Sequence, residues 1–193
     1  MNRTSILTAA AVLSICLCGT ARAEDDYLPD TTHFTVDMGV LFGGDKLAER
    51  TYVLGGTDSV YAGKALFADL GVLHDFTDSD WALKGTVGVQ SGFSAGFGSD
   101  ITFTRYPVDL VVLYTQGNQH VGGGLTYHAN PKLNGNGHVP DLVFKDAVGA
   151  VLEYQYRIFG VRYTNIRYRI DGPCRGRCSF DGSTLGVFFN FVF

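Results

Sequence analysis

The sequence predicts an all-β chain of eight antiparallel strands closed into one up-and-down barrel. Three observations lead there. Apolar and polar side chains alternate with a period of two along eight successive segments, as in strands with two unlike faces. No segment beyond the first two dozen residues approaches the about 18 unbroken apolar residues of a membrane-spanning helix. The chain also ends inside a strand pattern, with Leu185, Val187, Phe189, Phe191 and Phe193 alternating with Gly186 and Asn190. Chain ends ordinarily fray, and a Phe-rich edge without a partner invites aggregation, so the last strand is expected to close the sheet, in lipid.

Residues 1–23 have the layout of a secretory signal. Arg3 supplies the positive start, residues 6–18 are mostly apolar, and Ala21-Arg22-Ala23 is a small-x-small cleavage site. The apolar run is shorter than the about 20 residues a span needs. Cys16 and Cys18 leave with it, and Ile15 and Leu17 stand where a lipoprotein anchor requires a small residue. Residues 24–193 then form a single domain. Removing the signal takes away two arginines and no acid, so the net charge becomes 13 − 19 = −6, which argues against a nucleic-acid partner.

The first strand, 33–43, sets Phe34, Val36, Met38, Val40 and Phe42 against His33, Thr35, Asp37 and Gly39. After a Gly55-Gly56-Thr57-Asp58 turn, the second, 59–75, sets Leu66, Ala68, Leu70 and Val72 against Phe67, Asp69 and Gly71. The third, 81–95, alternates Trp81, Leu83, Val87 and Val89 with Lys84, Thr86, Gly88 and Gln90. In the fourth, 102–116, Tyr106, Val108, Leu110, Val112 and Tyr114 face away from Arg105 and Asp109; Pro107 is accommodated as at a bulge. The fifth, 120–130, follows a Gly117-Asn118 hairpin turn, and 131–146 is expected to be the longest loop. The sixth, 147–158, places Glu153 and Arg157 on one face and leads to a tight turn at Phe159-Gly160. In the seventh, 161–170, the phase slips near Asn165, as a bulge would cause, and 183–193 is the eighth.

One face of these strands is Val, Leu, Ile, Phe and Tyr; the other carries Asp37, Asp69, Lys84, Arg105, Asp109, Glu153, Arg157, Arg162, Arg167 and Arg169. A soluble sandwich would wet the charged face, whereas a membrane barrel turns the apolar face to lipid and the charged face inward. Eight strands leave an interior just wide enough for side chains, and an unpaired charge there is costly, so a paired network that plugs the barrel is expected. Gly39, Gly71, Gly88, Gly122, Gly124, Gly149 and Gly186 would make room for the arginines or, alternatively, leave a narrow hydrated path.

Thr184-x-Gly186-x-x-Phe189-x-Phe191, with Phe193 as terminal aromatic, resembles the polar-x-Gly-x-x-aromatic-x-aromatic signal that ends bacterial outer-membrane barrels, set two residues before its usual place. With the signal and eight alternating segments, the whole mature chain resembles the small OmpA/OmpX-type eight-stranded transmembrane barrels. The resemblance implies recognition by the barrel-assembly machinery and insertion into the outer membrane of a Gram-negative bacterium. With both termini in the periplasm, segments near 54–58, 96–101, 131–146 and 171–182 face outward and the turns near 76–80, 117–119 and 159–160 face inward.

Cys174 and Cys178, the only mature cysteines, suggest a local disulfide in an exported protein. Closing so short a loop stabilises by only about 2 kcal/mol. Beside them, Arg175 and Arg177 are candidates for contact with lipopolysaccharide phosphates. Some small barrels act on lipid A through a His-x-Ser-Asn motif, but Tyr127-His128-Ala129-Asn130 has no serine there. His120, His128 and His138, with Asp141 or Asp146, match no metal-ligand spacing. No cofactor, metal or catalytic residue is assigned. The expectation is a monomeric, non-enzymatic structural or surface-interaction protein whose partners are outer-membrane lipid and lipopolysaccharide. Alternatives are a narrow channel, a lipid A-modifying enzyme, or an adhesin using 131–146 and 171–182.

Overall fold

A computed structural model describes residues 31–51, 57–93, 101–137, 139–173 and 178–193. In chain order its strands are β1 (Thr31–Gly43), β2 (Lys46–Thr51), β3 (Thr57–Tyr61), β4 (Ala65–Asp75), β5 (Trp81–Phe93), β6 (Thr102–Gln116), β7 (Gln119–Asn134), β8 (Leu142–Val143), β9 (Ala147–Tyr156), β10 (Phe159–Asn165), β11 (Arg167–Arg169), β12 (Ser179–Asp181) and β13 (Thr184–Val192). No helix occurs among the described residues.

Eight of these strands form a closed antiparallel ring in the order β6-β5-β4-β1-β13-β10-β9-β7, and the β6–β7 pairing shuts it. Closure pairs the backbone groups that an open sheet would leave along its two edges. The first and last strands meet along nine residue pairs, from Thr35 opposite Val192 to Gly43 opposite Thr184. Beyond them Phe193 and Phe34 exchange both backbone hydrogen bonds, at 2.9 and 3.2 Å, so the chain end is held to its last residue.

At one end of the ring the connections are short. Two-residue hairpins join β6 to β7 at Gly117-Asn118 and β9 to β10 at Arg157-Ile158. Gly117 and Arg157 have φ of 61° and 55°, the left-handed backbone that such turns demand. The second hairpin lies two residues before the expected Phe159-Gly160, because Phe159 pairs with Tyr156. At the opposite end β2 with β3, β8, and β11 with β12 continue the wall upward into an extension. The segment 131–146, expected to be a loop, is therefore largely paired, with Lys132 and Leu133 opposite Val143 and Leu142. The second expected strand is likewise interrupted by the buried pair Ala62-Gly63.

The expected phase slip sits on a different strand. Arg162, Thr164, Ile166 and Tyr168 are all buried, so the alternation runs through Asn165 without a break. The bulge is on β7, where Asn130 and Pro131 together oppose Arg105, the register shifts between Thr104 and Tyr106, and Asn130 has φ 48°. A bulge of this kind exchanges the two faces of a strand. Below it Leu125 points out and Thr126 in; above it Leu133 points in and Lys132 out.

In the ring proper the charged side chains Asp37, Asp69, Lys84, Asp109, Glu153 and Arg162 are buried, while large apolar side chains are exposed: Phe34, Leu70, Leu125 and Val148 are 71, 62, 62 and 67% exposed. In the extension the polarity is conventional. Val60, Ile101, Phe103, Leu133, Phe144, Ile166 and Tyr168 form one buried cluster, while Lys132, Lys145, Arg167 and Arg169 are exposed.

Candidate functional site

Arg162 enters the barrel from β10, opposite Glu153 of β9 and Gly186 of β13. Its guanidinium gathers four carboxylates from four strands. Nε donates to Glu153 Oε1 at 2.7 Å, Nη1 to Asp69 Oδ2 at 2.9 Å and Asp109 Oδ2 at 3.1 Å, and Nη2 to Asp37 Oδ2 at 3.3 Å. Only arginine presents enough donors in a rigid fork to do this from one side chain. Lys84 of β5 joins Asp37 Oδ2 at 3.0 Å to Glu153 Oε2 at 2.5 Å. Gln155 donates to Glu153 Oε2 at 3.0 Å, and Asn190 donates to Thr35 Oγ1 at 2.6 Å and to Asp37 Oδ1. β1, β4, β5, β6, β9, β10 and β13 thus all contribute to one hydrogen-bonded cluster.

Rings of Phe67 and Phe188 lie 5.1 and 5.3 Å from the Arg162 guanidinium carbon, and with Leu41 and Ala65 they form an apolar layer beside the charges. Leu73, Ala82 and Leu113, close to the short turns, join Val111 and Val151 in a second buried layer. Two glycines make this packing fit: a Cβ at Gly160 would run into the Phe188 ring, and one at Gly88 into the Asp69 carboxylate. The cluster holds four acids and two bases, a formal charge of 2 − 4 = −2. Asp69 Oδ1 and Asp109 Oδ1 are buried without a hydrogen-bond partner among the described residues. Losing one member of such a buried network costs about 3–5 kcal/mol, because the charges left behind stay desolvated.

Of the ten charged residues expected inside, Asp37, Asp69, Lys84, Asp109, Glu153 and Arg162 are brought together here. Arg105 is buried but apart from them. It donates through Nε to Gln90 Oε1 at 2.7 Å and through Nη1 to the Ala62 carbonyl at 2.8 Å. The Phe103 and Tyr168 rings flank it, and no carboxylate pairs with it among the described residues. Arg157, Arg167 and Arg169 are not interior residues. Arg157 occupies an exposed hairpin turn, and the other two lie on the outer face of the extension, where buried Ile166 and Tyr168 take the inward positions. Strand parity could have found Asn190, Gln155 and Gln90, since each is polar on the charged face; it could not have found their partners.

His128 is buried with Nδ1 2.6 Å from the Tyr168 hydroxyl, and His120 Nδ1 is 2.9 Å from Thr115 Oγ1. His138, Cys174, Arg175 and Arg177 lie outside the described residues, as does the 1–23 segment. No metal-ligating group of His, Cys, Asp and Glu occurs among those described. The terminal motif divides by face: Thr184 and Gly186 point inward, Phe189, Phe191 and Phe193 outward.

The wall is interrupted between β9 and β10. The β9–β10 ladder stops at Ala150 opposite Asn165, and pairing resumes only at Phe144 opposite Ile170. The wall there holds a cleft of about 370 Å³, lined by Val148, Gly149, Ala150, Asn165, Ile166, Arg167, Asp181 and Ser183.

No family model matches the chain, and no curated protein matches its sequence. Among solved structures, Neisserial surface protein A is 11% identical, with 86% of this chain and 100% of that one covered at a TM-score of 0.48. Outer membrane protein OprG from Pseudomonas aeruginosa is 15% identical, covering 84% and 97% at 0.46. Outer membrane protein AlkL, solved in lipid bilayers, is 16% identical, covering 90% and 94% at 0.48. By its own strand ladder the chain is a closed, eight-stranded antiparallel β-barrel.

Proposed function

We propose that this barrel is an integral outer-membrane protein with a structural or surface-interaction role, non-enzymatic, its interior plugged by the Arg162 cluster. The observation that carries this is the inverted polarity of the ring: a buried guanidinium and four carboxylates inside, and more than twenty large apolar side chains of its strands exposed outside. At about 1.5–3 kcal/mol each, the unburied apolar surface is worth tens of kcal/mol, several times the about 5–15 kcal/mol stability of a typical domain. A hydrocarbon solvent removes that cost, and the closed ladder satisfies the backbone that such a solvent cannot. Tyr106, Tyr127 and Tyr163 toward the extension, and Trp81, Tyr154 and Phe159 toward the short turns, suit the two interfacial girdles of a membrane barrel.

In this reading residues 1–23 are cleaved on export, the Thr184 to Phe193 motif serves barrel assembly, and the extension faces the exterior with a Cys174–Cys178 bridge pinning its last loop. Arg175 and Arg177 meet lipopolysaccharide phosphates, and the protein acts as a monomer. The deciding experiment is electrophoresis of detergent-extracted protein with and without heating. A compact, fast-migrating unheated form is expected, and its absence would sink the membrane-barrel reading. Planar-bilayer recording tests the plug: reproducible single-channel steps would replace it with a channel.

A further inference from the structure

Lys145 and Arg169 face each other across the extension wall. The Lys145 backbone N–H donates to the Arg169 carbonyl at 2.8 Å, one residue from the Phe144–Ile170 bridge, so the two are directly opposed and both are exposed. Directly opposed like charges have Cβ atoms about 5 Å apart and destabilise a sheet. Nothing among the described residues relieves this pair: no ion pair involves Lys145, Arg169, Lys132 or Arg167.

Two of the nearby acids, Asp146 and Asp181, are hydrogen-bonded through their carboxylates to other groups, and the exposed Asp171 forms no ion pair with Arg169 among the described residues. Asp146 accepts from the Tyr127 hydroxyl at 2.5 Å and from Asn130 N at 2.8 Å. Asp181, opposite Arg167, accepts from Ser183 N and Oγ at 3.0 and 2.6 Å. Asp171 lies one row further out, hydrogen-bonded through its N–H to the Val143 carbonyl. Lys132 stands diagonally above Lys145, since its ladder partner is Val143. Directly below the pair opens the wall cleft, a mainly polar opening lined by Arg167, Asp181, Asn165 and Ser183, with Val148, 67% exposed, at its rim.

A cationic pair set where the extension meets the apolar outer face of the ring, with Val148 and Tyr163 exposed below it, fits a phosphomonoester carried on an acyl chain. We infer that Lys145 and Arg169, supported by Arg167, clamp the phosphate of an outer-leaflet lipid, with the acylated sugar of a lipid A-type headgroup seated against the cleft. This rests on the membrane-barrel reading and deepens it, placing headgroup recognition on the barrel wall. Two cations spaced as these are can each donate to one phosphate, and charge-assisted bonds of this kind are the stronger class. The phosphate would also remove the repulsion between them.

The test titrates detergent-solubilised protein with phosphorylated lipid A and with enzymatically dephosphorylated lipid A, using native mass spectrometry to read bound lipid. Wild-type protein should prefer the phosphorylated form by about tenfold or more, the scale of one charge-assisted hydrogen bond. The Lys145→Gln, Arg169→Gln double variant should lose most of that preference, and Lys145→Arg should keep it. Equal binding of the two lipids by the wild type, an unchanged preference in the double variant, or displacement of lipid A by millimolar inorganic phosphate would each overturn the clamp. Unheated gel mobility separates the two levels. A compact wild-type band with no phosphate preference defeats the clamp alone, whereas no compact band defeats the barrel reading and the clamp with it.

Discussion

The ring and its extension use the same strands with opposite polarity. β6 carries buried Arg105 and Asp109 within the ring and buried Phe103 beyond it; the β10–β11 run carries buried Arg162, then buried Ile166 and Tyr168. On the outside the exchange is reversed, from Leu125 and Val148 in the ring to Lys132 and Arg169 above it. Alternation alone says that a strand has two faces. Which face is inward depends on the solvent outside, and the proposed membrane setting gives this wall two solvents along its length.

The comparison is most severely tested at Arg162. Arg162→Met leaves four buried carboxylates with Lys84 alone and should cost about 3–5 kcal/mol, read as a lower urea midpoint for the protein in lipid vesicles. An unchanged midpoint would mean that the cluster does not hold the ring. A matched pair of surface substitutions then separates the regions. Leu125→Arg, at a ring position 62% exposed, should cost about 2–4 kcal/mol in vesicles. Val143→Arg, exposed on the extension, should fall within about 0.5 kcal/mol of wild type. Equal costs would place both faces in the same solvent.

A smaller effect is expected inside the extension. Tyr168→Phe removes the hydroxyl bonded to His128 Nδ1 and should cost about 1–2 kcal/mol, seen as faster proteolysis of the extension with the unheated gel form intact. Smallest is Lys145→Gln, which relieves a like-charge pair and should stabilise lipid-free protein in neutral detergent by no more than about 0.5 kcal/mol.

These contrasts explain what was legible beforehand. The eight strands could be read because each keeps a period of two for at least one full crossing of the ring. Asp37, Asp69, Lys84, Asp109, Glu153 and Arg162 shared the charged face, and parity suffices to place them inside. Arg167 and Arg169 shared it too, but lie above the belt, where the side chains that gain from burial are Ile166 and Tyr168. Reading them as interior required a bulge at Asn165; the true bulge, at Asn130-Pro131, was hidden in a segment whose glycines and asparagines suggested a loop. The Arg105 environment was illegible for another reason. Its partners Gln90 and Ala62 are 15 and 43 residues away and carry no charge.

By itself the sequence determined the strand count, the two unlike faces and the need to close first strand on last, because these follow from local periodicity and from the cost of an exposed edge. Tertiary structure decided which charges meet, that buried Arg105 stands apart from any carboxylate among the described residues, and where the wall opens. Those depend on the register with which distant strands pair: it sets Arg162 beside Glu153 and lets it reach Asp69, Asp109 and Asp37, and it leaves Lys145 facing Arg169.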